Sequence, residues 1–487
     1  MIVEAFRIEN FMCFEDSGWV ELRPITLFYG RNSAGKSALL RSLLLLRQSL
    51  VSQPDESALI FVLDDGARPS LDFGSYYDLV RDHDTGRLMS FWFKCNLVEG
   101  SEAVPSSEVA AILNGLGIEG TTLKVRLSYG LLPFSSQVVL FAIALYDDAS
   151  SLDEEEEDLI WQATAPTKPS YDEPWRFSFG YLEQPANIWG VTALAVEQGF
   201  FPRLRVLKEN EEDESTGEAA MAEFRHIQQL LRYLERSICS FLKSLEYLGP
   251  LRAQPQRFYY VPKQGGGMGS SAQHIVRTLI KAEANENLGL DRINEWLASS
   301  ALQVHLTLHP LDQNKTLYQL LLSDTPNGTK TSFQSNIREV GLAVSQILPV
   351  VAQTLLAPAH STLLLEQPEL HLHPGAQAEL GDLFIEVAVR NKVCLLVETH
   401  SENLFLRMRR RIVESSIGMI SPEDKAYLPH DALAVYFVHK EAEGSTVEVI
   451  EIGYKGELLR KPVAFKGFFS DDLREVALLT QAQLSFA

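Results

Sequence analysis

Three stretches of this 487-residue chain set phosphate- and water-handling residue types at defined spacings. The first, Gly30-Arg-Asn-Ser-Ala-Gly-Lys36-Ser37, fits GxxxxGK[ST] at every position. In such a loop, glycines let successive backbone N–H groups turn inward around phosphate oxygens, and the helix that follows favours anions at its start. Gly30, Asn32, Ser33, Ala34, Gly35 and Ala38 belong to that cradle. Lys36 would reach the β- and γ-phosphates, and the Ser37 hydroxyl would ligate Mg2+. A chance match in a Gly-containing loop is the ordinary alternative. The apolar strand Pro24–Tyr29 before the loop and the leucine-rich helix after it argue against chance.

The second stretch, Thr362-Leu-Leu-Leu-Glu366, reads as a buried strand ending in a carboxylate suited to holding a magnesium ion, and Gln367 follows it. A glutamine can hold a water by hydrogen bonds but cannot accept its proton. Glu369, two residues on past Pro368, is the candidate to act in its place. The third, Val393-Cys-Leu-Leu-Val-Glu-Thr-His400, is another apolar strand and ends in a histidine. His371 and His373 form an HxH pair, a weak metal signal without nearby cysteines. Arg407, Arg409, Arg410 and Arg411 share one helix, either as a solvated basic face or as a contact for nucleic acid or an acidic partner.

The elements needed to position these residues are legible as alternating patterns. Short strands over 2–30 lead into the phosphate loop. Strand-like alternation returns in Leu88–Phe93, Thr122–Leu127 and Gln137–Ile143. Ala219–Tyr247 carries helical periodicity. From Ile337 onward, helix and strand signals alternate through Thr362–Glu366, Ala376–Val389, Val393–Glu398 and Glu402–Val413, as in a parallel sheet covered by helices. Leu433–His439 and Thr446–Ile452 are strand candidates. The acidic runs Asp153–Asp158 and Glu209–Glu214 read as solvated loops, and Gly265–Ser271 as a flexible one.

Composition sets the outer limits. Hydrophobic residues at 46% and charged residues at 22% suit a globular protein large enough for two or three domains. A net charge of -21 argues against sequence-blind DNA binding over a broad surface, which needs clustered cations, and favours a basic partner. Four scattered cysteines without a CxxC pair fit a reducing compartment. No signal-peptide layout or bilayer-length apolar run is legible, so a cytoplasmic protein with no membrane partner is expected.

With its motifs in this order, the chain resembles the ABC-type ATPases with RecF-like and OLD-like heads, in the branch carrying E-x-P-E-x-H-L-H-P and E-T-H-S. The resemblance rests on Met1–Leu50 and Asn336–Val413, and extends to Leu71–Val80 and Tyr247-Leu-Gly-Pro-Leu-Arg252. Val435–Val438 and Phe465–Phe469 are similar to a small uncharacterised domain that commonly closes such chains, whereas Leu88–Arg205 matches loosely.

This likeness implies an α/β ABC-type P-loop NTPase head with a mixed or parallel sheet, an antiparallel β-rich lobe and a helical insertion. The divisions expected are an N-terminal ATPase lobe over 1–87, a β-rich lobe over 88–215 and a helical insertion with return strands over 216–335. A C-terminal ATPase lobe over 336–420 and a small C-terminal domain over 421–487 complete them. The resemblance further implies ATP and Mg2+ as cofactors, Glu366 as the magnesium carboxylate, His400 as the switch histidine, and Glu339–Pro349 as the signature region. Ser345 would cap ATP held by a second copy, so ATP would drive head-to-head pairing.

Gln367 then implies a slow ATPase. Some relatives carry a fused Toprim nuclease, for which the stretch after the switch helix is too short. The expected partner is therefore a separately encoded nuclease or toxin effector, with a phage or nucleic-acid trigger, in anti-phage defence. Two alternatives stay open: a RecF-like DNA repair ATPase acting directly on DNA, and a non-hydrolysing assembly protein.

Overall fold

Short, predominantly apolar strands buried on both faces belong in a parallel sheet covered by helices. Ile-Thr-Leu-Phe-Tyr-Gly, Thr-Leu-Leu-Leu-Glu and Cys-Leu-Leu-Val-Glu are such strands, and each is buried along its whole length. The computed structural model describes residues 3–52, 57–62, 71–98, 107–118, 120–132, 137–148, 159–164, 176–179, 191–197, 201, 203–209, 214–252, 254–261, 276, 278–280, 289–324, 334–465 and 468–469.

The chain opens with β1 (Val3–Phe11), β2 (Phe14–Asp16), β3 (Val20–Glu21) and β4 (Ile25–Gly30), then α1 (Lys36–Ser52) and the short α2 (Tyr76–Leu79). β5 (Met89–Asn96), α3 (Ser107–Gly115), β6 (Thr122–Leu131), β7 (Val138–Asp147), β8 (Leu159–Thr164) and β9 (Arg176–Phe179) follow. A hairpin of β10 (Val191–Glu197) and β11 (Arg203–Glu209) precedes the long α4 (Glu214–Ser244) and β12 (Leu245–Leu248). Next come β13 (Tyr259–Tyr260), α5 (Gly289–Ser299), β14 (Val304–Pro310), β15 (Leu317–Asp324) and β16 (Gln334–Asn336). The last part holds α6 (Leu342–Leu356), β17 (Thr362–Glu366), α7 (Pro374–Arg390), β18 (Cys394–Glu398), α8 (Glu402–Ser416), β19 (Leu433–Glu441) and β20 (Gly444–Val449).

Two sheets frame the molecule. One is antiparallel, in the order β2-β1-β5-β6-β7-β8-β9 with β3 also on β1. The other runs β12-β17-β18-β4-β19-β20 and is parallel except for its β20 edge. Alternate residues of the parallel strands enter two different cores. Phe28, Leu364 and Leu396 pack with α1, α4 and the antiparallel sheet. Leu27, Leu363, Leu365, Leu395 and Val397 pack with α6, α7 and α8 on the other face. Register aligns Glu366 with Glu398 and Glu398 with Phe28, so the polar strand ends meet at one edge, where ligands of open α/β sheets bind. Among the described residues no helix is long and apolar enough to cross a membrane.

Several boundaries differ from those expected. β1 pairs with β5, so the division at 87/88 falls inside one sheet. β19 pairs with β4 and β20 with β19, so Leu433–Val449 extends the ATPase sheet instead of standing in a separate unit. The helix expected through Tyr247 ends at Ser244, and Leu245–Leu248 pairs in parallel with Thr362–Leu365. Tertiary pairing there outweighs local helical preference. Asp153–Asp158 and Gly265–Ser271 lie outside the described residues, as does most of Glu209–Glu214.

Gly30 shows how tightly the sheet sets the loop. A Cβ there would sit 2.1 Å from the Val438 carbonyl oxygen, so β4 could not stay in register with β19. Gly30→Ala is expected to cost about 3 kcal/mol, the upper end of overpacking penalties. Gly341→Ala, where nothing lies within 4 Å, should cost no more than about 1 kcal/mol, the scale of an N-cap preference. Urea denaturation of both variants checks this, and an unchanged midpoint for Gly30→Ala would contradict it.

Candidate active site

The phosphate loop turns back sharply from β4 toward α1. Ser33 and Gly35 take φ of 57° and 110° in this turn. A Cβ on Gly35 would lie 2.6 Å from Cys13 Sγ, so the loop packs directly on the β1–β2 turn and only glycine fits. Lys36 is buried, and its Nζ donates to the carbonyls of Gly30 (2.9 Å) and Arg31 (3.0 Å), 3.8 Å from Glu398. Burial lowers its pKa, while the negative charges of Glu398 and Glu369 oppose that shift.

Ser37 and Glu366, expected to share a magnesium ion, each have a different protein partner. Ser37 Oγ donates to Glu398 Oε2 at 2.6 Å, and Glu366 Oε1 accepts from the Tyr247 hydroxyl at 3.1 Å. Glu398, the first residue of E-T-H-S, had no role assigned from the sequence, although it ends the strand beside Glu366. Burial, then repulsion from Glu398, pushes Glu366 up to about 7. Two buried carboxyls side by side resist being charged together. A divalent cation would relieve that repulsion, and Mg2+ typically takes one or two carboxylates plus phosphate oxygens. Ser37, Glu366 and Glu398 therefore fit that ion as a donor set.

Gln367 faces the same cleft. Its backbone N–H donates to the Glu398 carbonyl at 2.7 Å, and its φ of 45° bends the chain sharply out of β17. Glu369 is buried and accepts the His400 N–H at 2.7 Å, so it holds the turn against the end of β18 and does not line the cleft. Burial raises its pKa, with the His400 N–H bond the largest opposing influence. His400 carries a buried Nε2 with no partner among the described residues, and burial followed by the Lys36 charge lowers its pKa to about 4. The imidazole is thus neutral near pH 7. Ser345 lies one turn inside α6 and is buried, whereas Gly341 is the exposed cap of that helix. The hydroxyl expected to reach a second copy's ATP therefore does not point from the helix end.

The opposite wall came from no motif. It consists of Met12 and Cys13 in the β1–β2 turn with Asp78, Val80, Asp82 and His83. Asp82 and His83 both have positive φ, 55° and 56°, a strain that needs support. His83 stacks on Tyr77 at 4.6 Å and its Nδ1 lies 2.8 Å from the Tyr77 carbonyl oxygen. The recurring Leu71–Val80 segment was the only hint of this wall.

Other candidates have structural partners. His373 caps α7, accepting the Gly375 N–H at 3.3 Å. Arg407 and Arg411 pair with Asp382, Arg410 with Glu414, and Arg409 with the Gly456 carbonyl, so all four arginines are engaged within the chain.

A protein-family profile described as "AAA domain, putative AbiEii toxin, Type IV TA system" matches residues 271–407. None of the curated proteins matches this chain. Solved structures similar to it include an Smc head bound to the C-winged helix domain of ScpA, at 10% identity and TM-score 0.42, covering 93% of this chain and 98% of that one. The SMC head domain from Thermotoga maritima is 8% identical with TM-score 0.35, covering 93% and 100%. A Pyrococcus furiosus Smc head with the C-terminal domain of ScpA is 10% identical with TM-score 0.38, covering 92% and 96%. These overlaps are loose, and the fold class rests on the strand order itself. Parallel-sheet topology, phosphate loop and profile match together support an ATPase-type nucleotide-binding fold.

The raised Glu366 pKa has a measurable consequence. A carboxyl with a higher pKa folded than unfolded binds more protons in the native state, so stability falls as pH rises from the unfolded value, about 4.3, to about 7 and then levels. Glu366→Gln removes that loss. The stability of Glu366→Gln relative to wild type should therefore grow by about 2–3 kcal/mol between about pH 5 and pH 8 in metal-free buffer. Denaturant titrations at both pH values test this, and a pH-independent difference would contradict it.

Proposed function

We propose that this chain is an ATP-binding, slowly hydrolysing ABC-type ATPase that works as a switch. One observation carries the reading: Lys36, Ser37, Glu398 and Gln367 face a single cleft, with Glu366 next to Glu398 in register. In this reading the loop N–H groups and Lys36 hold the triphosphate, while the wall of Met12, Asp82 and His83 bounds the nucleoside. Mg2+, when bound by Ser37 and the two carboxylates, neutralises phosphate charge.

Gln367 orients the attacking water but takes no proton from it. Phosphoryl transfer depends chiefly on positioning and electrostatics, so turnover persists without a base. The loss is on the scale of general-base effects, about 10²–10⁴-fold. Glu369 contributes by holding the turn in the conformation described, its Oε1 accepting the His400 N–H, and as a base it would have to reach a cleft it does not line. A long-lived ATP state suits a switch better than a motor.

Pairing of two heads completes the proposal. The exposed Gly341 end of α6 would offer its N–H groups and helix dipole to the γ-phosphate held by a second copy. The toxin–antitoxin wording of the matched family fits a two-component system. In this reading the chain is the switch that gates a separately encoded nuclease or toxin effector in anti-phage defence. The charge of -21 favours an effector with a basic docking face. Direct action on DNA finds less support, since Arg407, Arg409, Arg410 and Arg411 are already engaged.

Light scattering with MgATP tests the pairing. The wild-type chain should double in mass, whereas Lys36→Ala should stay unpaired because it does not hold ATP. Gly341→Arg should bind ATP normally yet stay unpaired, its side chain projecting into open space at the helix end. Unaltered ATP-driven association of Gly341→Arg would move the contact to another surface.

A further inference from the structure

The Tyr247–Arg252 segment turns inward abruptly. Leu251 is 94% exposed, and the next residue, Arg252, is buried. Arg252 Nη1 donates to the Gln346 carbonyl at 3.1 Å, and Nη2 donates to the Gln367 carbonyl at 2.9 Å. One guanidinium thus joins the second turn of α6 to the bend that carries Gln367 into the cleft. The Gln367 peptide is then held on both sides, its N–H by β18 and its carbonyl by Arg252. Glu369 lies close enough to favour the charged guanidinium, although burial lowers the Arg252 pKa to about 10. Arg252 Nε is buried without a partner among the described residues, so the cation is held mainly for the two carbonyls it bridges.

We infer that Arg252 is a positioning residue that sets the Gln367 side chain and couples it to the end of α6 presented to a second head. The inference rests on the ATP-switch reading above. A shift of α6 on pairing pulls the Gln346 carbonyl, and the rigid fork passes that displacement to the Gln367 carbonyl across two short hydrogen bonds. Only arginine meets the requirement. Its planar fork supplies two donors at fixed separation, whereas a lysine ammonium is a point charge on a flexible stem. Misplacement by about 1 Å near a reacting group can cost about 100-fold in rate, so a lost bridge should register in turnover before it registers in binding.

Arg252→Lys keeps the charge beside Glu369 and removes the bridge. We expect MgATP affinity within about threefold of wild type, a cooperative melt, and single-turnover hydrolysis slower by at least about tenfold. Gln367→Ala should slow turnover similarly, and the double variant should be no slower than the worse single variant, as expected when one residue acts through the other. A merely structural arginine would instead lower melting temperature and affinity together. Wild-type turnover in Arg252→Lys, or multiplying losses in the double variant, would overturn the inference.

Hydrogen exchange on the wild-type chain covers the case where the variant does not fold. MgATP should change protection in 341–350 and 366–372 together, and a response confined to 366–372 would overturn the coupling. A wild-type chain that binds no MgATP would overturn the ATP reading and this inference at once, a result distinct from normal wild-type turnover matched by Arg252→Lys.

Discussion

The adjacency of Glu366 and Glu398 at the ends of two parallel strands is the constraint on which the site depends. Two carboxyls in register, both buried, create a demand for positive charge that the protein meets only in part. Lys36 stands 3.8 Å from Glu398, and the Ser37 hydroxyl donates to it at 2.6 Å. Glu366 accepts from the Tyr247 hydroxyl and feels the Arg41 charge, yet burial and Glu398 still raise its pKa to about 7. The phosphate loop, the helix it opens and the two strand ends are therefore coupled electrostatically as well as by packing. Any ligand that brings compensating charge to this edge stabilises the folded chain.

The sheet architecture explains why this arrangement is affordable. Alternate residues of β4, β17 and β18 enter two separate cores, which fixes their register against slippage. A one-residue shift would exchange every side chain between cores and separate Glu366 from Glu398. β12 and β19 flank the site strands on either side, so none of the three lies at an edge. Tyr247 and Gly30 belong to this lateral support: one supplies a hydroxyl to Glu366, and the other allows close approach of the Val438 carbonyl.

The phosphate loop and the two strand ends were legible in sequence because their chemistry is local: a loop with its helix, and apolar strands with polar last residues. Partnerships across elements were not. Ser37 and Glu366 are expected to hold one ion because both belong to known motifs, and strand register adds Glu398 beside Glu366, hydrogen-bonded to Ser37. The Asp82–His83 wall and the Arg252 bridge depend on contacts between distant segments, which no spacing rule expresses. Ser345 is expected from the resemblance to cap a second copy's ATP, yet one turn of helix is enough to bury it. Val435–Val438 was correctly apolar as a strand, yet nothing in its composition assigned it to the sheet of β4.

Gln367 gives the proposed function its content, because it lines the cleft with Lys36, Ser37 and Glu398 and cannot accept a proton there. Rapid-quench single-turnover hydrolysis of the wild type and Gln367→Glu, at saturating MgATP, tests this most directly. The account predicts slow turnover in the wild type and at least about tenfold faster turnover in Gln367→Glu, near the low end of general-base effects. Equal rates in the two chains, or a slower Gln367→Glu, would contradict a switch whose lifetime is set by Gln367.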